Sequence, residues 1–470
     1  MRKYTLKTKS HKLIADTVTP VSVYLKLRDR FAKSVMLESS DYHGQENSFS
    51  YICCDPIAAF ELRGKNLAMQ FPDSTSETKT LQSKQDGVME LAGFAQAFES
   101  ESKVPFISSG LFGFMNYDAV QYFEEIDFSE NQPSGYDAPD MLYHVYRYVL
   151  AFNHFKNELY LFEHGLEEPS GAGIKEIEDL IFSKNFPLYG FQSAGEPTSD
   201  LTDEEYVEMV KKGIEHCNRG DVFQIVLSRR FSQQFTGDEF NVYRALRSIN
   251  PSPYLFYFDY GNFKIFGSSP EAQIVVKNRE ASIHPIAGTF RRSGNDEQDA
   301  ELARKLSEDP KEISEHVMLV DLARNDLSRH CEKVQVETFK EVQFFSHVIH
   351  LVSKVTGQLE SMDEAVQIVA DTFPAGTLSG APKYRAMELI NQYEKHRRGF
   401  YGGAIGYLGF NGDFNHAIMI RSFLSKNNQL SYQAGAGVVA KSNPLSERDE
   451  VFNKLAALQR AVKEAETIKG

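Results

Sequence analysis

The chain has 470 residues, of which 25% are charged and 41% apolar, an ordinary composition for a globular protein that excludes disordered, collagen-like and coiled-coil chains. The formal net charge of −14 makes nucleic acid a poor partner, because such a surface repels phosphate backbones. No stretch approaches the roughly 20 apolar residues of a membrane helix. The N-terminus lacks the apolar core of a secretory signal. We therefore expect a cytoplasmic protein without a membrane segment.

Residues 15–165 form the first predicted region, which consists mostly of short strand-like stretches. Two alternating stretches, MLYHVYRYVLAFNH and ELYLFEH, meet at Lys156 and Asn157, which predicts a β-hairpin. A helix-like stretch and then a run rich in proline, glycine and serine follow, so we place a linker at about residues 185–200.

Residues 200–460 form the second predicted region, in which strands and helices mix. Thr202 and Glu205 have the spacing of a capping box and predict a helix that ends at Gly220. Asn411 and Gly412 predict a tight hairpin. Hairpins dominate and no strand–helix–strand unit repeats, so we expect an α+β fold with large antiparallel sheets rather than a doubly wound sheet.

Two predicted helices each carry two glutamates three residues apart, Glu312 with Glu315 and Glu447 with Glu450. Residues at this spacing share a helix face. The spacing is also common on solvated faces, and Glu450 with Lys454 has the spacing of an ordinary ion pair. The helix beyond Glu315 is largely apolar, however, and carboxylates buried with it would need a partner or a cation. If the two pairs meet, their oxygen ligands favour Mg²⁺.

Three other features have both a structural and a functional interpretation. His350 shares a strand face with apolar residues, where a histidine is more often part of the core than of a site. Arg421 ends the apolar strand HAIMIRS, as a surface side chain or as a clamp for a carboxylate. Gly435 begins a dinucleotide-like GAGVVA, but no helix opens directly after it, so we expect no nucleotide site. Its glycines could bring backbone N–H groups close to an anion.

Seven motifs follow one another along the C-terminal half: HPIAGTFR (284–291), KEISEHVMLVDLARND (311–326), FPAGTLSGAPK (373–383), GFYGGAIGY (399–407), AIMIRS (417–422), QAGAGVV (433–439) and SERDEVFNK (446–454). In this order they resemble the chorismate-utilising enzymes and, among them, the large components of anthranilate synthases. The resemblance covers about residues 20–460. It implies two large packed antiparallel β-sheets flanked by helices. It also implies an Mg²⁺-dependent lyase that makes anthranilate and pyruvate from chorismate and ammonia, the first step of tryptophan biosynthesis.

The resemblance implies roles for individual residues when it is carried over position by position. Glu315 and Glu450 match the Mg²⁺ ligands, and Glu312 and Glu447 match the accompanying carboxylates. The residues that match chorismate-binding positions are Gly288, Thr289, Tyr401, Arg421, Gly435, Ala436, Gly437 and Lys454. The residues that match catalytic positions are Glu271, near the ring hydroxyl that leaves, His350 and Thr289.

Within this family two positions indicate which nucleophile is used. Members that add water carry a lysine base where this chain has Gln224, and an amide cannot act as a base. Aminodeoxychorismate synthases carry a lysine where this chain has Ala287. Ammonia is therefore the expected nucleophile, supplied by a separate glutamine amidotransferase subunit (component II) in a heterotetramer by analogy with the family. The alternatives are an aminodeoxychorismate synthase component I and a non-catalytic regulator that binds chorismate or tryptophan.

The N-terminal region resembles the feedback site of anthranilate synthases. MLESS (36–40) is similar to one element of that site and NPSPYLFYF (250–258) to the other. The implied tryptophan-binding residues are Ser39, Pro253, Tyr254 and Leu255. Leu255 stands where a methionine is usual in the family, which is a near-isosteric apolar exchange.

Overall fold

The computed structural model describes residues 3–39, 48–102, 104–126, 128, 136–344, 348–361 and 364–468. The strands are β1 Tyr4–Ile14, β2 Val35–Glu38, β3 Phe49–Arg63, β4 Asn66–Gln70, β5 Ser76–Thr80, β6 Phe98–Ser100, β7 Gly110–Met115, β8 Met141–Asn153, β9 Glu158–Gly165, β10 Phe191–Ser199, β11 Gln224–Gly237, β12 Tyr254–Asp259, β13 Lys264–Ser269, β14 Ala272–Lys277, β15 Glu280–Ile283, β16 Ile286–Arg291, β17 Glu332–Phe344, β18 Val348–Gln358, β19 Gly380–Ala381, β20 Ala404–Gly409, β21 Phe414–Ile418, β22 Ser422–Lys426 and β23 Gln429–Val438. The helices are α1 Pro20–Leu27, α2 Asp86–Gln96, α3 Ala172–Phe182, α4 Asp203–Arg219, α5 Phe240–Ile249, α6 Asp296–Glu308, α7 Pro310–Ser328, α8 Ala365–Thr372, α9 Gly376–Ser379, α10 Lys383–Tyr393 and α11 Pro444–Ala465, with a 3₁₀ helix at Tyr117–Tyr122. None of the helices in these ranges is long and apolar enough to cross a membrane.

Two antiparallel sheets share the long strand pair β3–β8. The first sheet continues from β8 through β7, β20, β21, β14 and β15 to β18, which also pairs with β16 and β17. The second sheet continues from β3 through β2, β12, β13, β22, β23 and β11 to β10. The predicted α+β fold with large antiparallel sheets is confirmed.

Apolar side chains fill the space between the sheets and the space under the helices. Phe256 of the second sheet and Phe114 of the first belong to one buried cluster between them. Helices α4, α5 and α11 cover the second sheet, where Leu246 and Leu455 are fully buried. Helices α7 and α8 cover the first sheet, where Val320 is buried. Each large apolar side chain buried in this way contributes about 1.5–3 kcal/mol, and together they fix the helices that carry the site residues.

The prediction of a linker at about residues 185–200 is wrong, because Phe191–Ser199 forms strand β10. It pairs with β11, which supplies hydrogen bonds that the proline and glycine content of the segment does not predict. The hairpins β8–β9 and β20–β21 and the helix capped by Thr202 form as expected. The division into regions 15–165 and 200–460 stays a prediction, and strands of the two regions pair with each other, β2 with β12 and β7 with β20.

Candidate active site

The two predicted acidic pairs lie at the N-terminal ends of helices α7 and α11. Asp309 caps α7 by accepting from the backbone N–H of Lys311 at 2.8 Å, and Asn443 caps α11 by accepting from the N–H of Leu445 at 3.0 Å. A proline occupies the first turn of each helix. The early turns that follow carry four glutamates, here named the acidic cluster: Glu312, Glu315, Glu447 and Glu450.

The members of the acidic cluster are close enough to perturb one another. Burial raises the pKa of Glu315, and the neighbouring charges of Glu312 and Glu450 raise it further. Burial also raises the pKa of Glu447, where Glu450 acts in the same direction and a hydrogen bond from Ser442 opposes it. The carboxylates of the two helices, which are far apart in sequence, therefore lie close enough to interact electrostatically, whereas the spacing predicted only that each pair shares a helix face.

The donor chemistry of the acidic cluster fits a hard divalent cation. Like charges that raise each other's pKa are relieved by a cation between them, and carboxylate oxygens are the ligands that Mg²⁺ prefers. Within the ranges given above, no three histidine, cysteine, aspartate or glutamate side chains stand together closely enough to hold an ion as placed. The assignment of Glu315 and Glu450 as metal ligands therefore stays a prediction.

Glu271 follows β13 and is held by a residue that the sequence did not single out. Thr377 Oγ1 in α9 donates to Glu271 Oε1 at 3.1 Å. Burial raises the pKa of Glu271 to about 7, while the Thr377 hydrogen bond and the charge of Arg421 oppose the shift. A carboxyl group with this pKa is partly protonated at neutral pH, so it can donate a proton. Thr377 belongs to the motif FPAGTLSGAPK, and that motif is the signal that could have found it.

His350 lies buried in β18, opposite Thr289 of β16. Its Nδ1 is 3.0 Å from the carbonyl oxygen of Gly288. Because a carbonyl only accepts, Nδ1 carries the proton and Nε2 is the basic nitrogen of the neutral ring. Burial lowers the pKa of His350, the Gly288 hydrogen bond opposes this, and the charge of Arg421 adds to it. The ring therefore stays neutral at pH 7.

Gly288 connects His350 with the acidic cluster. Its φ is +69°, and a Cβ at this position would lie 3.0 Å from Glu312 Oε2 and 2.7 Å from Leu306 Cδ1. A side chain would therefore be strained and crowded here, and only glycine lets the strand approach α7 so closely. Gly288 was matched to a chorismate-binding glycine, and the local geometry requires a glycine at this position.

Arg421 does not end a strand, as the sequence suggested, but lies between β21 and β22. Strand β21 ends at Ile418, and Arg421 has a φ of +49°. This left-handed conformation costs a non-glycine residue about 1–3 kcal/mol and persists only where the surroundings hold it. Its Nη1 donates to Asn250 Oδ1 at 3.2 Å. Burial lowers the pKa of Arg421, and the carboxylate of Glu271 opposes this shift, so the two groups lie close together.

Tyr401 is buried above an ion pair that sequence reasoning missed. Arg398 Nη2 lies 2.6 Å from Glu394 Oε1, and both side chains are almost inaccessible to solvent. The guanidinium centre is 5.7 Å from the ring centroid of Tyr401. Burial raises the pKa of Tyr401, while Arg398 and a backbone hydrogen bond from Gly435 lower it. The phenol therefore stays protonated beside the glycine motif of β23.

The glycine motif of β23 is packed against strand β11. A Cβ on Gly435 would lie 2.8 Å from the carbonyl oxygen of Leu227, and one on Gly437 would lie 2.6 Å from Gln224 Nε2. Gln224 is 4% exposed, and among the described residues nothing bonds its Oε1. Lys454 Nζ donates to the Gly435 carbonyl at 2.9 Å and lies 2.8 Å from Glu450 Oε1. The glycine motif is thereby tied to the acidic cluster.

Ala287 is the second position that the sequence used to predict the nucleophile. Ala287 is buried in β16 and offers no polar group.

Strand β2 pairs with β12, with Glu38 opposite Leu255, so Ser39 follows directly beside the segment 253–255. Leu255 is buried in the core beneath α5. Ser40, the last residue of the first element, lies outside the described residues. The tryptophan role of these elements stays a prediction.

Comparisons with known proteins agree with this geometry. Residues 34–460 match the model of the chorismate binding enzyme family. Proteins named anthranilate synthase component 1 from Aquifex aeolicus and Thermus thermophilus are 35% and 37% identical to the chain, over 97% and 96% of it and 94% and 97% of their own lengths. The structure of anthranilate synthase component I from Streptococcus pneumoniae superimposes with a TM-score of 0.74 at 31% identity, over 95% of this chain and 99% of that one.

A more distant structure shows the fold alone. The menaquinone-specific isochorismate synthase from Escherichia coli superimposes with a TM-score of 0.73 at 18% identity, over 98% of this chain and 95% of that one. The two packed antiparallel sheets flanked by helices and the resemblance to the large components of anthranilate synthases are thereby confirmed. The chain belongs to the chorismate binding enzyme family.

Proposed function

We propose that this chain is the large component of an anthranilate synthase, a lyase that converts chorismate and ammonia to anthranilate and pyruvate. One observation carries the proposal: Glu271, with a pKa of about 7, and His350, which stays neutral, both lie within electrostatic reach of Arg421. A proton donor, a base and a cation for an anionic substrate are what this reaction needs. The similarity to component 1 proteins over nearly the full length of the chain supports the proposal.

The carboxylates of chorismate would be bound by Arg421 and by groups around it. A guanidinium binds a carboxylate through two parallel hydrogen bonds, which also fix its orientation. The other proposed substrate contacts are Gly288, Thr289, Tyr401, Gly435, Ala436, Gly437 and Lys454. The contact of Lys454 Nζ with the Gly435 carbonyl at 2.9 Å supports this role, because it places a cationic group at the glycine motif.

Mg²⁺ would be held by Glu315 and Glu450, with Glu312 and Glu447 beside it. Burial raises the pKa values of Glu312, Glu315 and Glu447, and the charge of Glu450 raises each of them further, which supports the assignment. When bound, the ion would neutralise the ring carboxylate of chorismate and favour the shift of electron density toward it. Lys454 Nζ, which lies 2.8 Å from Glu450 Oε1, would hold the side chain of Glu450 in position.

Glu271 and His350 would move the protons of the two chemical stages. In the first stage ammonia attacks C2, the ring double bonds shift, and the C4 hydroxyl leaves as water with a proton from Glu271. In the second stage the C2 proton departs toward Nε2 of His350 and the C3–O bond breaks. The enolpyruvyl group then leaves as the enolate of pyruvate and becomes pyruvate by taking up one proton on its methylene carbon. The Nδ1–H bond to Gly288 supports this role, since it directs the basic nitrogen away from the backbone.

Gln224 and Ala287 support ammonia as the nucleophile, because neither can act as a base or an amine. We infer that a glutamine amidotransferase subunit supplies the ammonia within a heterotetramer. The experiment is to incubate the purified chain with chorismate, ammonium and Mg²⁺ and to follow anthranilate by its fluorescence. Isochorismate or 4-amino-4-deoxychorismate as the main product would contradict the proposal, and no turnover would favour a non-catalytic regulator.

Tryptophan is proposed as the feedback inhibitor, bound between Ser39 and the segment Pro253, Tyr254 and Leu255. The pairing of β2 with β12 supports this, because it brings the two elements side by side.

We also propose a cytoplasmic location, which is supported by four cysteines that remain free thiols.

A further inference from the structure

The short helix α9 carries Thr377, which holds the proposed proton donor. Thr377 Oγ1 donates to Glu271 Oε1 at 3.1 Å. The helix spans only the four residues Gly376–Ser379, too few for a helix that is stable by itself. We propose that Arg398 is the positioning residue that fixes α9 and, with it, the hydrogen bond from Thr377 to Glu271. The inference rests on the proposed function, because it assigns Arg398 a role toward the proposed proton donor.

The C-terminal end of α9 receives a hydrogen bond from Arg398. Leu378 follows Thr377 directly and is buried, and Arg398 Nη1 donates to its carbonyl oxygen at 2.6 Å. The last carbonyl groups of a helix have no partner within that helix, and a buried one that loses its donor is costly. Because α9 has no inner turns that could hold it in place, its position depends on this guanidinium.

The guanidinium of Arg398 is itself fixed by strand β11. Its Nη2 donates to the carbonyl oxygen of Val226 at 2.7 Å. Its Nε and Nη2 donate to the two carboxylate oxygens of Glu394 at 2.9 and 2.6 Å. Glu394 Oε1 in turn accepts from the backbone N–H and the hydroxyl of Ser228 in β11 at 2.9 and 2.7 Å. Since β11 pairs with both β10 and β23, Arg398 attaches α9 to an inner strand of the sheet.

The stability of the fold alone does not explain a charged pair at this place. Arg398 is 2% exposed and Glu394 is 5% exposed. Burial lowers the pKa of Arg398, but the charge of Glu394 and its hydrogen bond raise it more, so the guanidinium stays charged. Replacing a buried ion pair by apolar side chains is often neutral for stability. An apolar side chain could not donate to the Leu378 carbonyl, however, and this contact is the one that reaches α9.

The test is the pH dependence of kcat/KM for chorismate at saturating free ammonia. Arg398→Lys keeps the charge, but an ammonium group cannot reproduce the planar fork that donates to Leu378, Val226 and Glu394 together. Arg398→Met combined with Glu394→Gln removes both charges, so that neither is left buried alone. In both variants the charged form of Glu271 loses the Thr377 hydrogen bond, and the pKa of Glu271 rises.

The fall in activity, expected at about pH 7 in the wild type, should therefore move upward in both variants. The displacement should reach at most the half to one pH unit, roughly, that Thr377→Val itself produces. Adding Arg398→Lys to Thr377→Val should move the profile by less than about 0.3 pH unit further, because both changes remove the same contact. A role of Arg398 that is merely structural, or that acts through Tyr401, would not depend on Thr377.

A second buried ion pair supplies the matched control. Arg28 Nη2 lies 2.6 Å from Asp238 Oδ2, and both side chains are largely buried. Arg28→Met combined with Asp238→Asn should keep the wild-type pH profile, whatever its effect on thermal stability. A control that moves the profile as far as the Arg398 variants would show that loss of any buried pair has this effect, and would overturn the inference.

The other outcomes separate the inference from the function on which it rests. If the wild type forms no anthranilate, the proposed function and the inference fail together. If the wild type is active but the Arg398 variants keep its profile, or if their displacement adds in full to that of Thr377→Val, only the inference fails. A Thr377→Val profile that does not move also overturns it. If one of the two Arg398 variants does not fold, the profile of the other decides.

Discussion

Glutamate residues occupy two regions of this molecule, and their surroundings differ. Glu271 is held in the interior by Thr377, and burial raises its pKa to about 7. The acidic cluster lies at two helix ends, where the side chain of Glu450 is 47% exposed, and where burial and the charges of Glu312 and Glu450 raise the pKa of Glu315. The same side chain is therefore suited to donate a proton in one region and to bind a cation in the other. The surroundings of each glutamate, and not the residue type alone, determine the chemistry for which its carboxyl group is suited.

The largest effect is expected from a change in the acidic cluster. Glu450→Gln removes one anion from a set that needs a cation, so turnover at micromolar Mg²⁺ should be abolished while the fold remains intact. Asp449→Asn is the matched control, because Asp449 is exposed on the same helix and pairs with Arg448. The measurement is anthranilate formation against Mg²⁺ concentration. Near-normal activity of Glu450→Gln at micromolar Mg²⁺ would show that the metal assignment is wrong.

A change at Glu271 should reduce the rate without altering the need for metal. Glu271→Gln cannot donate a proton to the leaving hydroxyl, and loss of a general acid lowers kcat by about 10²–10⁴-fold. The Mg²⁺ concentration for half-maximal rate should stay near that of the wild type, which separates the two regions. Steady-state kinetics at varied Mg²⁺ measure both quantities. A kcat within about tenfold of the wild type would exclude Glu271 as the acid.

A change at the proposed tryptophan site tests whether regulation is separate from chemistry. Ser39→Phe should fill the proposed tryptophan site and relieve inhibition by tryptophan, with little change in the uninhibited rate. Anthranilate formation at increasing tryptophan measures this. Tryptophan that fails to inhibit the wild type at millimolar levels, or a variant as sensitive as the wild type, would refute the site.

The smallest effect is a displacement of the pH profile. Glu271 must be protonated to act, so kcat/KM for chorismate at saturating free ammonia should fall as pH rises through about 7. Thr377→Val removes a hydrogen bond that stabilises the charged carboxylate, so the pKa of Glu271 rises. The fall in activity should then move upward by about half to one pH unit. A profile that moves downward, or does not move, would contradict the role of Thr377.

Local features of the fold could be predicted from the sequence because neighbouring residues determine them. The capping box at Thr202 and the turn at Asn411 and Gly412 each need only a few adjacent residues. Strand β10 could not be predicted, because its stability comes from pairing with β11 rather than from its own composition. The pairing of β7 with β20 could not be predicted for the same reason, because it joins distant parts of the chain.

The candidate site shows the same division between local and long-range signals. Residue spacing placed Glu312 with Glu315 on one helix face, and the position-by-position resemblance to the family identified Glu271 and His350. The contact of Thr377 with Glu271 could not be predicted, because it joins α9 to the end of β13. The left-handed backbone of Arg421 was also missed, since only the surrounding loops make this conformation stable.

The most direct test of the account is the stoichiometry of the reaction with isotope-labelled ammonium. The purified chain, chorismate, Mg²⁺ and labelled ammonium should yield anthranilate and pyruvate in equal amounts, with the label in the amino group of anthranilate. Mass spectrometry of the products measures both. Isochorismate, or a labelled 4-amino-4-deoxychorismate formed without pyruvate, would contradict the assignment of this site to ammonia-dependent anthranilate formation.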